Sequence, residues 1–170
     1  MVRLLIVLLA LFSISAHGAP STRFIYSGID FNIQSNASVI GSKGGDENFV
    51  FFRYGEEQTK KYLAFSDMSN DKSIKYGCKP KEFFSHLAGI NVSHKCNKSE
   101  VESFQKYIVS DSDKGEWSGE DFNAYYFVGM KQSFLFVFKG KNLIKVDSDF
   151  LKKDGLKSLI KAYINQSNHL

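Results

Sequence analysis

Four residues able to ligate a soft metal ion fall within one short segment: Cys78, His86, His94 and Cys96. Thiolate and imidazole are the ligands of structural zinc, but this spacing matches no common zinc pattern. Cys78 and Cys96 are also the only cysteines in the chain. In an oxidising compartment a lone pair most simply forms one disulfide, so a bridge is expected and a metal site is not. Closing such a loop stabilises the fold by about 3 kcal/mol, because the unfolded chain loses entropy. His86 and His94 flank the loop, and either could serve as a base for a nearby serine. A solvated histidine is the simpler expectation, and no catalytic residue is assigned. The chain contains no G-x-S-x-G, H-E-x-x-H, C-x-x-C or G-x-x-x-x-G-K-S/T motif. No cofactor is expected.

A second cluster runs from Asp111 to Asp121 and carries five carboxylates, two glycines and the sole tryptophan. It resembles a calcium loop in having acids at its first and third places. However, Gly115 holds the fifth place and Phe122 the twelfth, where an EF-hand requires a bidentate Glu. A looser cation site is the alternative to a solvated loop joining a helix to a strand. The segment could also make contacts: Trp117 with Glu116, Glu120 and Tyr125 forms a candidate partner-binding patch, an aromatic anchor ringed by acids. The opposing expectation is that Trp117 tucks beneath the loop and packs. Gly41-Ser-Lys-Gly-Gly45 could cradle an anion with backbone amides, but it precedes a strand rather than a helix and reads as a hairpin loop.

The elements that must hold these residues follow from the hydrophobic pattern. Met1 to Gly18 has a basic residue, Arg3, an apolar run and a small-residue end, which predicts a signal peptide over 1–18 cleaved after Gly18. The run is too short to span a bilayer. Residues 19–170 are then expected to be one domain without a membrane anchor. Arg23–Tyr26 and Ile29–Ile33 predict a hairpin about Ser27-Gly28, and Phe49–Tyr54 with Lys61–Phe65 predict a second. Pro80 opens a short helix with Phe83, Phe84 and Leu87 on one face, ended by Gly89. Ser99-Glu-Val-Glu102 reads as a capping box opening a helix with Val101, Phe104, Tyr107 and Ile108 towards the core. Asp121–Val128, Ser133–Phe138 and Asn142–Asp147 predict a meander whose middle strand is apolar on both faces and therefore central. A last helix carries Leu156, Leu159, Ile160, Tyr163 and Ile164 on one stripe.

The expected class is α+β, a mainly antiparallel sheet from two N-terminal hairpins and a three-stranded meander, packed sandwich-like with two or three helices. This order of elements is similar to that of the small α/β sandwiches of the PsbP type, a likeness that implies topology and no functional residue.

Composition narrows the function classes. The chain has 170 residues, 43% hydrophobic, with a net charge of +4 and no run of five like charges, which excludes disorder and argues against a nucleic-acid partner. Sequons at Asn36, Asn91, Asn97 and Asn165 point to a eukaryotic secretory route and to glycosylation there, whereas the scarcity of Pro and Cys favours a bacterial periplasm. The expectation is an exported, periplasmic or extracellular, non-enzymatic binding protein whose partner is another protein. An inhibitor or immunity protein acting on an envelope toxin or hydrolase fits that description. The alternatives are a small secreted hydrolase with a His/carboxylate site and a eukaryotic secreted glycoprotein or effector.

Overall fold

The structure is a computed structural model describing residues 20–45, 48–57 and 60–164. The expected signal segment 1–18, the sequon at Asn165 and His169 lie outside the described residues. β1 (Ser21–Tyr26) and β2 (Ile29–Gln34) form the first hairpin as expected. Its turn residues Ser27 and Gly28 both have positive φ, 46° and 75°, the I′ geometry whose twist suits two short strands. In β2, buried Ile29, Phe31 and Ile33 alternate with half-exposed Asp30, Asn32 and Gln34, the period of a strand covered on one side.

This hairpin is a two-stranded sheet of its own, laid against a seven-stranded one of order β3-β4-β5-β9-β8-β7-β6. The seven strands are β3 (Val39–Lys43), β4 (Phe49–Arg53), β5 (Tyr62–Asp67), β6 (Asp113–Gly119), β7 (Phe122–Val128), β8 (Ser133–Lys139) and β9 (Asn142–Ser148), every adjacent pair antiparallel. The class is α+β, and β8 lies inside the sheet with Phe134–Val137 buried on both faces, as its composition predicts. Two edge strands depart from the expectation. Gly41, Ser42 and Lys43 are not a loop but pair with Phe51, Val50 and Phe49. Gly41 suits this edge because the Phe51 ring lies where a Cβ would stand. The acidic stretch is likewise not a loop: Asp113–Gly119 pairs residue for residue with β7, making the meander four-stranded. Its tight turn, Glu120-Asp121, puts Asp121 at φ 53°, a conformation Asp tolerates.

Each face of the sheet builds its own core. On one face Phe52, Leu63, Phe65, Leu135, Val137, Ile144 and Val146 pack against the β1–β2 hairpin and the C-terminal helices. Phe31 meets Phe65 at 4.8 Å and Phe24 meets Phe52 at 4.9 Å between ring centres. The predicted single last helix is two, α3 (Lys153–Leu159) and α4 (Lys161–Ile164), interrupted at Ile160 (φ −114°, ψ 17°). Leu156, Leu159 and Ile160 are nonetheless buried.

The opposite face is covered over β7, β8 and Leu143 of β9 by α1 (Pro80–Leu87) and α2 (Lys98–Phe104). Phe84 stacks on Phe136 at 4.1 Å. Asn97, not Ser99, caps α2: its side-chain oxygen accepts from the Ser99 and Glu100 amides at 3.0 and 3.4 Å. The start of the helix is set two residues early because the Asn97 amide is already tied to the Tyr76 carbonyl, 2.8 Å. Glu102 accordingly faces Lys98, 3.8 Å, instead of reaching back to a cap. Beyond Phe104 the helix widens to a π turn, Gln105–Val109. The extra residue per turn rotates Tyr107 out to 71% exposure and brings Val109 into the core in its place.

Candidate functional site

The two helices cover only part of their face. On β5, Leu63 and Phe65 are 1% and 0% exposed towards the hairpin, whereas Tyr62, Ala64 and Ser66, pointing the other way, are only half-buried. The same alternation recurs on β9, where Lys145 and Asp147 are half-exposed between buried Ile144 and Val146. On β4 the residues of this open side are Phe49, Phe51 and Arg53, all half-buried. Register aligns Gly41, Phe51, Ala64 and Asp147 in one row across four strands, and Val39, Arg53 and Tyr62 in the next. Phe49 and Phe51 belong to neither core and lie against each other, 6.4 Å between ring centres.

The polar groups of this face are unequally satisfied. Asp147 Oδ1 accepts from the Tyr62 hydroxyl at 2.9 Å and from Gln132 Nε2 at 2.8 Å, and Gln132 Nε2 also donates to the Tyr62 oxygen, 2.9 Å. Burial, and then the Asp147 carboxylate, push the Tyr62 phenol well above its usual range, so it stays protonated and acts as a donor rather than a base. Arg53 is different. Its Nε is buried without a hydrogen-bond partner, and its guanidinium forms no ion pair among the described residues. Lys145 likewise has no acidic partner among them.

The residues singled out from sequence occupy other places. Cys78 and Cys96 are bridged, Cα–Cα 4.7 Å. Both thiolates are thereby consumed, and no group of three metal-capable side chains occurs among the described residues. His86 Nδ1 accepts from the Ser93 backbone amide, 2.9 Å, while the Ser93 hydroxyl donates to Glu82 Oε1, 2.5 Å. A nucleophile needs its hydroxyl on the imidazole, and here the two groups are turned to different partners. His94 is exposed.

In the proposed Trp117 patch, Tyr125 is 1% exposed beneath the helices, so its ring presents no contact surface. Glu116, on the same side of the sheet, accepts a hydrogen bond from Asn123 Nδ2. Trp117 points to the other side, half-buried and stacked on Tyr126 at 4.4 Å, and Glu120 is exposed in the turn. The four residues therefore do not form one patch, because strand alternation sends neighbours to opposite faces. Asp113, expected in a cation loop, pairs with Lys153 at 3.0 Å. Of the described sequons, Asn36 and Asn91 are exposed, and Asn97 is the helix cap.

A cleft of about 270 Å³ lies between β2, Tyr54, Phe150 and α3. Its lining includes Tyr54 and Lys161 but no carboxylate and no histidine. Among the described residues no helix is long and apolar enough to cross a membrane. In comparisons with known proteins, no family model and no curated protein matches the chain.

Proposed function

We propose that the chain is an exported binding protein that engages another protein through the open face of β4, β5 and β9. The carrying observation is the Phe49–Phe51 pair, two large aromatics outside both cores on a regular strand. Aromatic and arginine side chains supply most binding energy at protein interfaces, and this face presents both on a rigid support. The Cys78–Cys96 bridge and the N-terminal apolar run support an exported location. The arrangement around His86 gives the hydrolase alternative no support.

The test compares capture of a partner from the compartment into which the protein is exported. Mature wild-type protein and the Ile25→Asp variant, altered on an exposed residue of the hairpin, should retain the same partner. Phe51→Asp should lose it. Equal retention by all three, or no partner for the wild type, refutes the reading.

A further inference from the structure

The strand β2 has a sheet partner on one side only. In an antiparallel pair, alternate residues turn their amide and carbonyl away from the neighbouring strand. On β2 these are Asp30, Asn32 and Gln34: Ser35 donates to the Pro20 carbonyl at 2.9 Å, and bonded pairs recur at every second residue from there. The two ends of this outer edge are already capped by the rest of the molecule. The Asp30 amide donates to the Tyr163 hydroxyl at 2.8 Å, and the Gln34 carbonyl accepts from the Tyr54 hydroxyl at 3.1 Å. Between those caps the Asn32 amide and carbonyl and the Gln34 amide have no partner among the described residues. Asn32 and Gln34 both line the cleft between β2 and α3.

The chemistry of the cleft sets what completes that edge. A donor and an acceptor on one edge residue are met together by the carbonyl and amide of one residue of an added strand. The edge is free only between the two tyrosine hydroxyls, a rise of four residues or roughly 13 Å, so it takes a chain end rather than a strand that runs through. Around it the cleft is apolar, with buried Ile33, Leu63 and Leu159 and the Tyr54–Phe150 pair, 5.5 Å between ring centres. Lys161, exposed and without an ion pair among the described residues, is its one charged lining residue. The adjoining depression shares Lys161 and adds Lys157 and Asp154, so the mouth stays net positive. A free carboxylate is attracted to that mouth, and an amino terminus is repelled by it. We propose that the cleft binds the C-terminal end of a protein or peptide: one residue pairs with Asn32, the terminal carboxylate meets Lys161, and an aliphatic last side chain enters beside Leu63 and Leu159. The cleft lies on the hairpin side of the sheet, and the proposal does not depend on the open face of β4, β5 and β9.

The test follows the Asn32 and Gln34 amide resonances and the Leu63 and Leu159 methyl resonances of the mature protein during titration with acetyl-Ala-Ala-Leu bearing a free carboxylate. All four residues should shift together and saturably. Acetyl-Ala-Ala-Leu-amide, which lacks the charge, and 4-methylpentanoate, which keeps the carboxylate and the aliphatic group without the peptide backbone, should each bind about tenfold more weakly. Lys161→Gln should lower the acid to the level of the amide and Lys161→Arg should restore it, both at an unchanged thermal midpoint because the side chain is exposed. Ser158→Tyr, which fills the cleft from an exposed position on α3, should abolish binding. The proposal is overturned if the acid shifts none of the four residues, if acid and amide bind alike, or if Ser158→Tyr leaves binding unchanged. It is overturned equally if 4-methylpentanoate binds as tightly as the peptide acid, which would make the cleft a site for small carboxylates.

Discussion

Phe136 and Phe51 point to the same side of one sheet, and truncating each should separate its covered half from its open half. Phe136 is 0% exposed. Its ring stacks on Phe84 at 4.1 Å with an interplanar angle of 26°, and meets Phe127 edge-on at 5.9 Å. Deleting such a ring removes its transfer energy and leaves a cavity under two helices, at a cost of about 3–5 kcal/mol. The close stack on Phe84 contributes beyond area, which places Phe136→Ala in the upper part of that range. Phe51 lies over Gly41, near Phe49, half-buried and outside both cores, so Phe51→Ala should cost about 1 kcal/mol or less. With a urea slope of roughly 2 kcal/mol/M, Phe136→Ala lowers the midpoint by about 2 M and Phe51→Ala by about 0.5 M or less. Equilibrium unfolding followed by far-UV circular dichroism reads both. Equal shifts, or a shift under about 0.5 M for Phe136→Ala, would refute the division of this face.

Trp117, half-buried on Tyr126, should emit at intermediate wavelength with partial iodide quenching, and Trp117→Ala should lower stability by about 1–3 kcal/mol; an unchanged midpoint would return Trp117 to the role of a free anchor. Native protein should show no titratable thiol until reduced and denatured, and Cys78→Ala with Cys96→Ala should cost about 3 kcal/mol in chemical unfolding. Burial pushes the Tyr54 phenol up to about 12, and burial with the Glu116 charge does the same for Tyr125. Because these folded values are raised above the unfolded value of about 10, their contribution is complete below pH 10 and is lost as pH rises towards 12. Absorbance titration at alkaline pH should show phenols ionising late in native protein and near pH 10 in denaturant; a single transition near pH 10 in both would contradict the burial.

Much of the fold was legible because period-two alternation is strong where one face packs. β2 and β9 are examples, whereas β8 was legible as a continuous apolar run covered on both faces. β6 was not legible, since its charges and glycines imitate a loop; as an edge strand with one neighbour it carries little apolar signal. Tyr107 was misplaced because a helical period assumes a constant pitch, and the π turn breaks it. The open face is visible in retrospect as Phe49-x-Phe51-x-Arg53 beside Tyr62-x-Ala64-x-Ser66 and Lys145-x-Asp147. In sequence, however, Phe49-Val-Phe-Phe reads as apolar on both sides, so β4 looks like an interior strand. Only the third dimension shows that the helices stop short of it.

The central claim, that this uncovered face is where the protein meets its partner, is most directly tested by placing a photo-reactive phenylalanine analogue at position 51 and, in a second protein, at position 25 on the exposed side of the hairpin. Irradiation in the native compartment should give one discrete adduct from position 51 and none from position 25. An adduct from position 25 alone, equal adducts from both, or none from either would contradict it.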